Sequence, residues 1–165
     1  MAKIKNNVLR DFEAYERRLA ALAESSREII GEVIYEGAAI AAEAVSEELK
    51  KIPVRSGNAF GTPEKPVEGL TLPAKQGLID GFGISPMQDD GGFLNVKLGF
   101  DGYNSVKTKN FPKGQPNALV MRGLEGGTSW LKSRPTVRVA IRRASAAVKK
   151  KMEETTDEKI KQKMK

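Results

Sequence analysis

Few side chains in this sequence can carry out catalysis or bind a metal ion. The 165 residues include no histidine and no cysteine, which removes Ser-His and Cys-His nucleophiles, the usual general base near neutral pH and the common zinc ligands. Carboxylate-only magnesium sites remain, and Asp89-Asp90 is the one acid pair in a turn. Two adjacent carboxylates before Gly91-Gly92 are ordinary turn chemistry. We therefore expect no metal, no cofactor and no enzymatic activity.

Basic side chains are concentrated at the C-terminal end of the sequence. The net charge is +7, and residues 132–165 hold twelve Lys or Arg against four Asp or Glu. Phosphate neutralisation by such a segment makes a basic, non-specific nucleic-acid-binding module the alternative interpretation. However, no aromatic residue is interleaved with the cations after Trp130, and a solvated helix has the same charge pattern. The candidates for contact with DNA are Arg138, Arg142, Arg143, Lys149 and Lys150.

One long helix is predicted for residues 3–51. Apolar residues recur mostly every three or four positions and charged residues fill the opposite face. Small residues at 37–42 would let a neighbouring helix approach closely, whereas Ser25-Ser26 or Gly31 could break or kink the helix. Pro53 signals its end. The apolar stripe predicts core packing, and part of it is also compatible with an intersubunit surface.

The middle of the chain is predicted to contain loops and a small sheet. Residues 53–76 carry four prolines and three glycines, which predicts an extended loop of the kind that orders against a partner. Residues 77–101 are predicted to form a β-hairpin region, with the clearest alternation at 93–100. A polar loop follows at 103–116.

The residues from Asn117 to Ala144 predict two helices joined by a sharp corner. A short helix over 117–126 would be N-capped by Asn117 and ended by Gly126-Gly127 in left-handed conformation. Thr128 or Ser129 would bond the freed backbone groups, and Arg134 would pair with Glu125. A C-terminal helix is predicted for 135–160.

These elements predict a single α+β domain. A small antiparallel sheet would pack with the long N-terminal helix, the short helix and the basic C-terminal helix. No apolar run approaches the roughly 20 residues needed to span a bilayer, and the N-terminal lysines are not followed by a signal-peptide core. We expect a soluble protein made in a reducing cytoplasm, without membrane contact.

Several motifs together resemble the HK97 gp10-like family of tailed-phage head–tail joining and tail-completion (neck) proteins. Ile52–Gly57 is similar to a Pro-Val-x-Thr/Ser-Gly start after a long helix, and Val96–Phe100 to a Val-x-Val-Gly-Phe strand. Leu124–Ser129, followed by Arg134-Pro135, is similar to a Glu-x-Gly-Thr motif before a basic helix. The resemblance covers about residues 30 to 150. Asn117-Ala118 and Thr136-Val137 depart from the family's aromatic pairs.

The resemblance implies a virion structural protein at the head–tail junction, present in the host cytoplasm during assembly. It implies a homo-oligomeric ring, usually sixfold, that contacts connector or head-closure proteins and tail-tube or tail-terminator proteins. Genomic DNA passing through the ring would meet the C-terminal cations without sequence preference. The candidates for contact with neighbouring proteins are Pro53, Arg55, Ser56, Gly57, Glu125, Gly126, Gly127, Thr128, Trp130, Leu131, Arg134 and Pro135.

Overall fold

Helix α1 (Ala2–Lys50) is 49 residues long and dominates the fold. The structure is a computed structural model that describes residues 2–57 and 61–165, with side chains from residue 10 onward. Within these residues, four helices and two small antiparallel sheets form an α+β fold, which confirms the predicted fold class. The other elements are α2 (Leu72–Gly81), β1 (Phe82–Ile84), β2 (Gln88–Asp90), β3 (Phe93–Asn95), β4 (Leu98–Phe100), α3 (Asn117–Gly126) and α4 (Val137–Lys163).

The long helix α1 is continuous and places one stripe in the core. The predicted break at Ser25-Ser26 or Gly31 is wrong, because α1 is one helix through these residues. Both serine hydroxyls donate back to carbonyls of the preceding turn, that of Ser26 to the Ala23 carbonyl at 2.8 Å. Such bonds keep the hydroxyl within the helix. From residue 29 onward the buried positions recur mostly every fourth residue: Ile29, Val33, Ala41, Val45 and Leu49.

Helix α4 packs along the C-terminal half of α1. Small residues make this contact close, as the sequence indicates: a Cβ on Gly37 would lie 2.8 Å from Met152 Cγ. Ion pairs flank the seam, with Lys151 3.6 Å from Glu36 and Lys159 bound to Glu32. The Glu32 carboxylate, which accepts a hydrogen bond from Lys159, raises the pKa of that ammonium group. The predicted C-terminal helix is thus present, although it covers Val137–Lys163 rather than 135–160.

Helix α2 contradicts the prediction of a loop to residue 76 and a strand from residue 77. Pro73 lies in the first turn, where proline costs no hydrogen bond. Gly77 and Gly81 are required by close packing, because a Cβ on Gly77 would lie 2.5 Å from Asn104 Cβ. A Cβ on Gly81 would lie 2.3 Å from the Asp101 carbonyl oxygen. These glycines therefore mark tight contacts rather than flexibility.

The hairpin region 77–101 contains two antiparallel strand pairs in place of one hairpin. The outer pair joins β1 to β4, with Phe82 opposite Phe100 and ring centroids 5.1 Å apart. The inner pair joins β2 to β3 through the Gly91-Gly92 turn. The single strand predicted for 93–100 is wrong, because the residues between β3 and β4 leave the ladder.

The core lies where α1, α2, α3 and α4 converge. Helix α3 has the predicted bounds, but Asn117 is its first residue and Pro116 is the N-cap. The Asn117 side chain instead donates to the Asp101 carbonyl at 2.7 Å, which ties α3 to the end of β4. The buried apolar cluster comprises Val45, Leu49, Ile52, Leu70, Ala74, Leu78, Met121, Leu124 and Ala140.

Candidate protein-interaction surface

The corner between α3 and α4 is built on the carboxylate of Glu125. Its oxygens accept hydrogen bonds from the backbone N–H groups of Thr136 (2.7 Å), Val137 (3.1 Å) and Arg138 (2.9 Å). Glu125 thus caps the N-terminus of the helix that follows, where a negative charge is favoured. The predicted Glu125–Arg134 pair is wrong, since the Arg134 guanidinium donates to the Lys51 carbonyl at 3.3 Å.

Gly127 reverses the chain at the end of α3. Its φ of 77° and ψ of 165° are accessible essentially to glycine alone. A Cβ at this position would also lie 3.0 Å from the Ser133 backbone nitrogen. The prediction of positive φ is confirmed for Gly127 and wrong for Gly126, which is the last residue of α3.

Thr128 stabilises the turn that presents Trp130. Its hydroxyl oxygen accepts a hydrogen bond from the Leu131 backbone N–H at 3.0 Å, and its own N–H donates to the Leu131 carbonyl at 2.8 Å. This closed turn holds the Trp130 side chain at 51% exposure. Trp130 is thus an exposed apolar surface on a turn whose backbone is already ordered. A partner that binds it would lose little further backbone entropy of this turn.

The loop after α1 lies against this corner. The Arg55 N–H donates to the Leu70 carbonyl at 2.8 Å, and the Leu70 N–H donates to the Pro53 carbonyl at 3.0 Å. Val67 in turn accepts from the Lys132 N–H and donates to the Trp130 carbonyl, both at 2.9 Å. Backbone hydrogen bonds through residues 67–70 therefore connect the Ile52–Gly57 motif to the turn that follows α3.

Between these segments lies a groove of about 880 Å³, which we call the corner groove. Its lining is largely apolar and includes Val106, Leu119, Val120 and Leu131. Three cations line it, and none of its described lining residues is acidic. The lining residues are Arg55, Leu70, Thr71, Pro73, Ala74, Ser105, Val106, Lys107, Phe111, Gln115, Leu119, Val120, Arg122, Gly123, Gly126, Gly127, Thr128, Trp130 and Leu131.

Half of the predicted interaction residues line the corner groove. They are Arg55, Gly126, Gly127, Thr128, Trp130 and Leu131, whereas Pro53, Ser56, Gly57, Glu125, Arg134 and Pro135 do not. Sequence reasoning missed the wall formed by the loop after β4 and by α3. Two apolar residues of the otherwise polar loop 103–116, Val106 and Phe111, could have indicated this wall. Leu119, which is 46% exposed on α3, is a further part of it.

The five basic candidates for DNA contact all lie on α4 and are exposed. Arg138, Arg142 and Lys149 follow one another at helical spacing along one stripe. Arg143 lies 3.1 Å from Glu48, and Lys150 lies 3.8 Å from Glu154. Arg138 also lies 4.0 Å from Glu125, so the charges of three of the five candidates are partly compensated within the chain.

Glu48 joins the end of α1 to α4. Its Oε1 atom accepts hydrogen bonds from Lys51 at 2.9 Å and from the Arg143 guanidinium at 3.1 Å. The hydrogen bond from Lys51 is the main reason that the pKa of Glu48 is lowered, with the positive charge of Arg143 acting in the same direction. The Arg143 charge therefore has a structural use in this helix pair.

Asp89 of the predicted acid pair binds Arg27 of α1 and accepts the Gly92 N–H at 2.6 Å. Across the described residues, no three His, Cys, Asp or Glu side chains are grouped closely enough to hold a metal ion. A search of the same residues for helices long and apolar enough to cross a membrane also finds none.

Comparison with known proteins finds no relative of this chain. No protein-family model, no curated protein and no solved structure matches the chain.

Proposed function

We propose that this chain is a structural protein of a tailed bacteriophage or prophage, a head–tail joining or tail-completion protein. It would form part of a homo-oligomeric ring, of six copies if the motif resemblance extends to stoichiometry, at the neck or tail end of the virion. In that role it binds connector or head-closure proteins and tail-tube or tail-terminator proteins. No chemical step is required, because the function lies in protein contacts.

The observation that carries this proposal is the half-exposed Trp130 on a fixed turn beside the apolar corner groove. Tryptophan in a desolvated pocket is the residue type that dominates binding energy at protein interfaces. Two of the three motifs that resemble the HK97 gp10-like family meet at this place, since Arg55, Gly127 and Thr128 line the same groove, whereas no residue of Val96–Phe100 does. A rigid, preorganised apolar surface favours a structural contact over catalysis.

Light scattering after size exclusion, across protein and salt concentration, tests this proposal. We expect a ring-sized species at high concentration, visible as ring particles by negative-stain microscopy. Trp130→Ala should shift assembly to higher concentration, whereas Tyr103→Ala, an exposed aromatic that does not line the groove, serves as the matched control. A wild-type chain that stays monomeric and binds neither tail-tube nor connector proteins encoded beside it would contradict the proposal.

Non-specific nucleic-acid binding is the second candidate, favoured by the exposed stripe Arg138, Arg142 and Lys149. Removing one cation that binds a phosphate should reduce the slope of log affinity against log salt by about 1. Arg142→Gln with Lys149→Gln should therefore lower the slope by about 2, and Lys109→Gln with Lys113→Gln, in the loop after β4, is the control. Equal slopes for both pairs would remove α4 as a DNA-binding surface.

A further inference from the structure

The N-terminal part of α1 carries an exposed apolar stripe. Phe12, Tyr15 and Leu19 are 60%, 50% and 43% exposed, and their spacing places them on one face of the helix. Helix α4 ends beside this point, because the Arg18 guanidinium donates to the Met164 carbonyl at 3.1 Å. We call residues 10–19 the arm, since they extend past the end of α4.

The arm has the anchor pattern of a helix that binds in a groove. Phe12, Tyr15 and Leu19 stand at positions i, i+3 and i+7, the spacing by which amphipathic helices place anchors in an apolar groove. The corner groove has a largely apolar lining and half-exposed walls at Leu119 and Trp130. Its volume of about 880 Å³ suits a few large side chains, as in pockets of about 300 to 1,000 Å³ that bury a drug-sized ligand.

Charges at the two surfaces are complementary. The charged residues that line the groove are Arg55, Lys107 and Arg122, all cations. At about 100° per residue, Asp11 and Glu16 flank the apolar stripe of the arm on its two sides. The arm also holds three arginines, but Arg10 and Arg17 lie on the opposite face and Arg18 donates to the Met164 carbonyl. The carboxylates beside the stripe would therefore face the cations of the groove, which favours this pairing over contact with an acidic surface.

The arm cannot reach the groove of its own chain. The groove lies near the C-terminal end of α1, where Lys75 Nζ donates to the Lys50 carbonyl at 2.6 Å and adjoins the groove residue Ala74. Some thirty residues of unbroken helix, about 45 Å, separate the arm from that end. A contact between the two must therefore join two copies, either reciprocally in a two-fold dimer or head-to-tail in a ring or filament. The proposed ring requires the head-to-tail form.

We propose that the arm of each copy binds in the corner groove of the next copy, with Phe12, Tyr15 and Leu19 as anchors. The inference rests on the proposed ring and names the contact that would build it. Since the chain has no cysteine, single introduced cysteines report the contact directly. Full-length Tyr15→Cys with a mass tag is mixed with full-length Leu119→Cys and oxidised under mild conditions. We expect a mixed disulfide dimer as the main product.

Two matched pairs control for chance collisions. Arg17→Cys, on the opposite face of the arm, with Leu119→Cys should give at least tenfold less mixed dimer. Tyr15→Cys with Lys149→Cys, on the outer face of α4, should do the same. Equal yields of mixed dimer from all three pairs would overturn the inference, because the cross-links would then reflect random collisions. Disulfide dimers between two Tyr15→Cys chains as the main product would also overturn it, because the arm would then bind another arm.

Phe12→Ser with Tyr15→Ser separates this inference from the proposed function. Both positions are exposed, so the melting temperature should not change, whereas the ring-sized species should disappear at the concentration where wild type assembles. A ring that persists in this variant would overturn the arm–groove contact and leave the ring itself intact. Both proposals would be overturned if the wild-type chain forms no ring and the Tyr15→Cys and Leu119→Cys pair gives no mixed dimer. If Tyr15→Cys cross-links only to a tail protein, the groove of a second copy is not the binding site of the arm.

Discussion

Glu125 lies in the last turn of α3, yet its main partners are three backbone N–H groups at the start of α4. The first N–H groups of a helix have no partner within the helix, so a carboxylate placed there satisfies them and interacts favourably with the helix dipole. The residue thus fixes the angle between two helices as well as the end of one. We infer that its contribution to stability is local to the corner.

Replacing Glu125 by Ala should lower the free energy of unfolding by about 1 kcal/mol, within the range of about 0.5 to 2 kcal/mol measured for loss of an N-terminal cap. Glu125→Gln retains an acceptor oxygen and should lose about half as much. Urea unfolding gives both values. Glu154→Gln, which removes only an exposed pair with Lys150, is the control and should change stability by less than about 0.5 kcal/mol. If Glu125→Ala is as stable as this control, the cap does not hold the corner.

Asp89 makes the attachment of the β2–β3 pair to α1 dependent on pH. The hydrogen bond from Arg27, followed by that from the Gly92 N–H, lowers the pKa of the Asp89 carboxyl. A carboxyl whose pKa is lower in the folded state stabilises the fold above its unfolded pKa of about 3.9, and this stabilisation is lost as pH falls through the folded value. Asp89→Asn should therefore be less stable than wild type at about pH 7, and the difference should be smaller at about pH 3, below the unfolded pKa. Urea midpoints measured at both pH values check this, and a difference that is constant with pH would contradict it.

Gly127 and Gly126 provide a matched pair for the turn that ends α3. Valine at Gly127 would need a positive φ and would approach the Ser133 backbone, so Gly127→Val should cost at least about 1 to 3 kcal/mol. Gly126 is helical, and nothing lies within 4 Å of a Cβ placed there. Gly126→Val should therefore change the melting temperature little. Equal melting temperatures for the two variants would show that the corner does not depend on the conformation of Gly127.

The elements that could be predicted from the sequence are those whose signals are local. Helix α1 has a long apolar stripe, and α3 ends at a glycine pair, so both could be placed closely. Helix α2 could not, because Pro73, Gly77 and Gly81 resemble loop residues until Asn104 and the Asp101 carbonyl are seen packed against them. Tertiary packing overrides local preference there.

The interaction surface could be predicted only in part, for the same physical reason. Gly127, Thr128 and Trp130 lie next to one another in sequence and form one turn, which the sequence indicates directly. The opposite wall of the corner groove comes from Val106, Phe111 and Leu119, and their proximity to Trp130 depends on how α2 and α3 pack. Likewise, the role of Glu125 depends on the distance to α4, which no local pattern encodes.

The whole molecule is long relative to its mass, because one helix carries both the core stripe and the arm. A straight helix of 49 residues spans about 74 Å. A compact domain of 165 residues has a radius of gyration of about 15 Å, which corresponds to a sphere about 40 Å across. Among the α1 side chains that the structure describes, from residue 10 onward, Ile29 is the first buried one, so residues 10–28 add length without adding core. This geometry gives each copy two ends that are far enough apart to contact different neighbours.

Small-angle X-ray scattering coupled to size exclusion should therefore give a maximum dimension of about 75 Å or slightly more for the smallest species. Its radius of gyration should lie well above about 15 Å. Gly31→Pro, which removes a helix hydrogen bond from α1, is a comparison that should shorten the maximum dimension or broaden its distribution. A wild-type radius near about 15 Å would mean that α1 folds back on itself. The arm would then lie close to its own corner groove, and a contact between the two would no longer require a second copy.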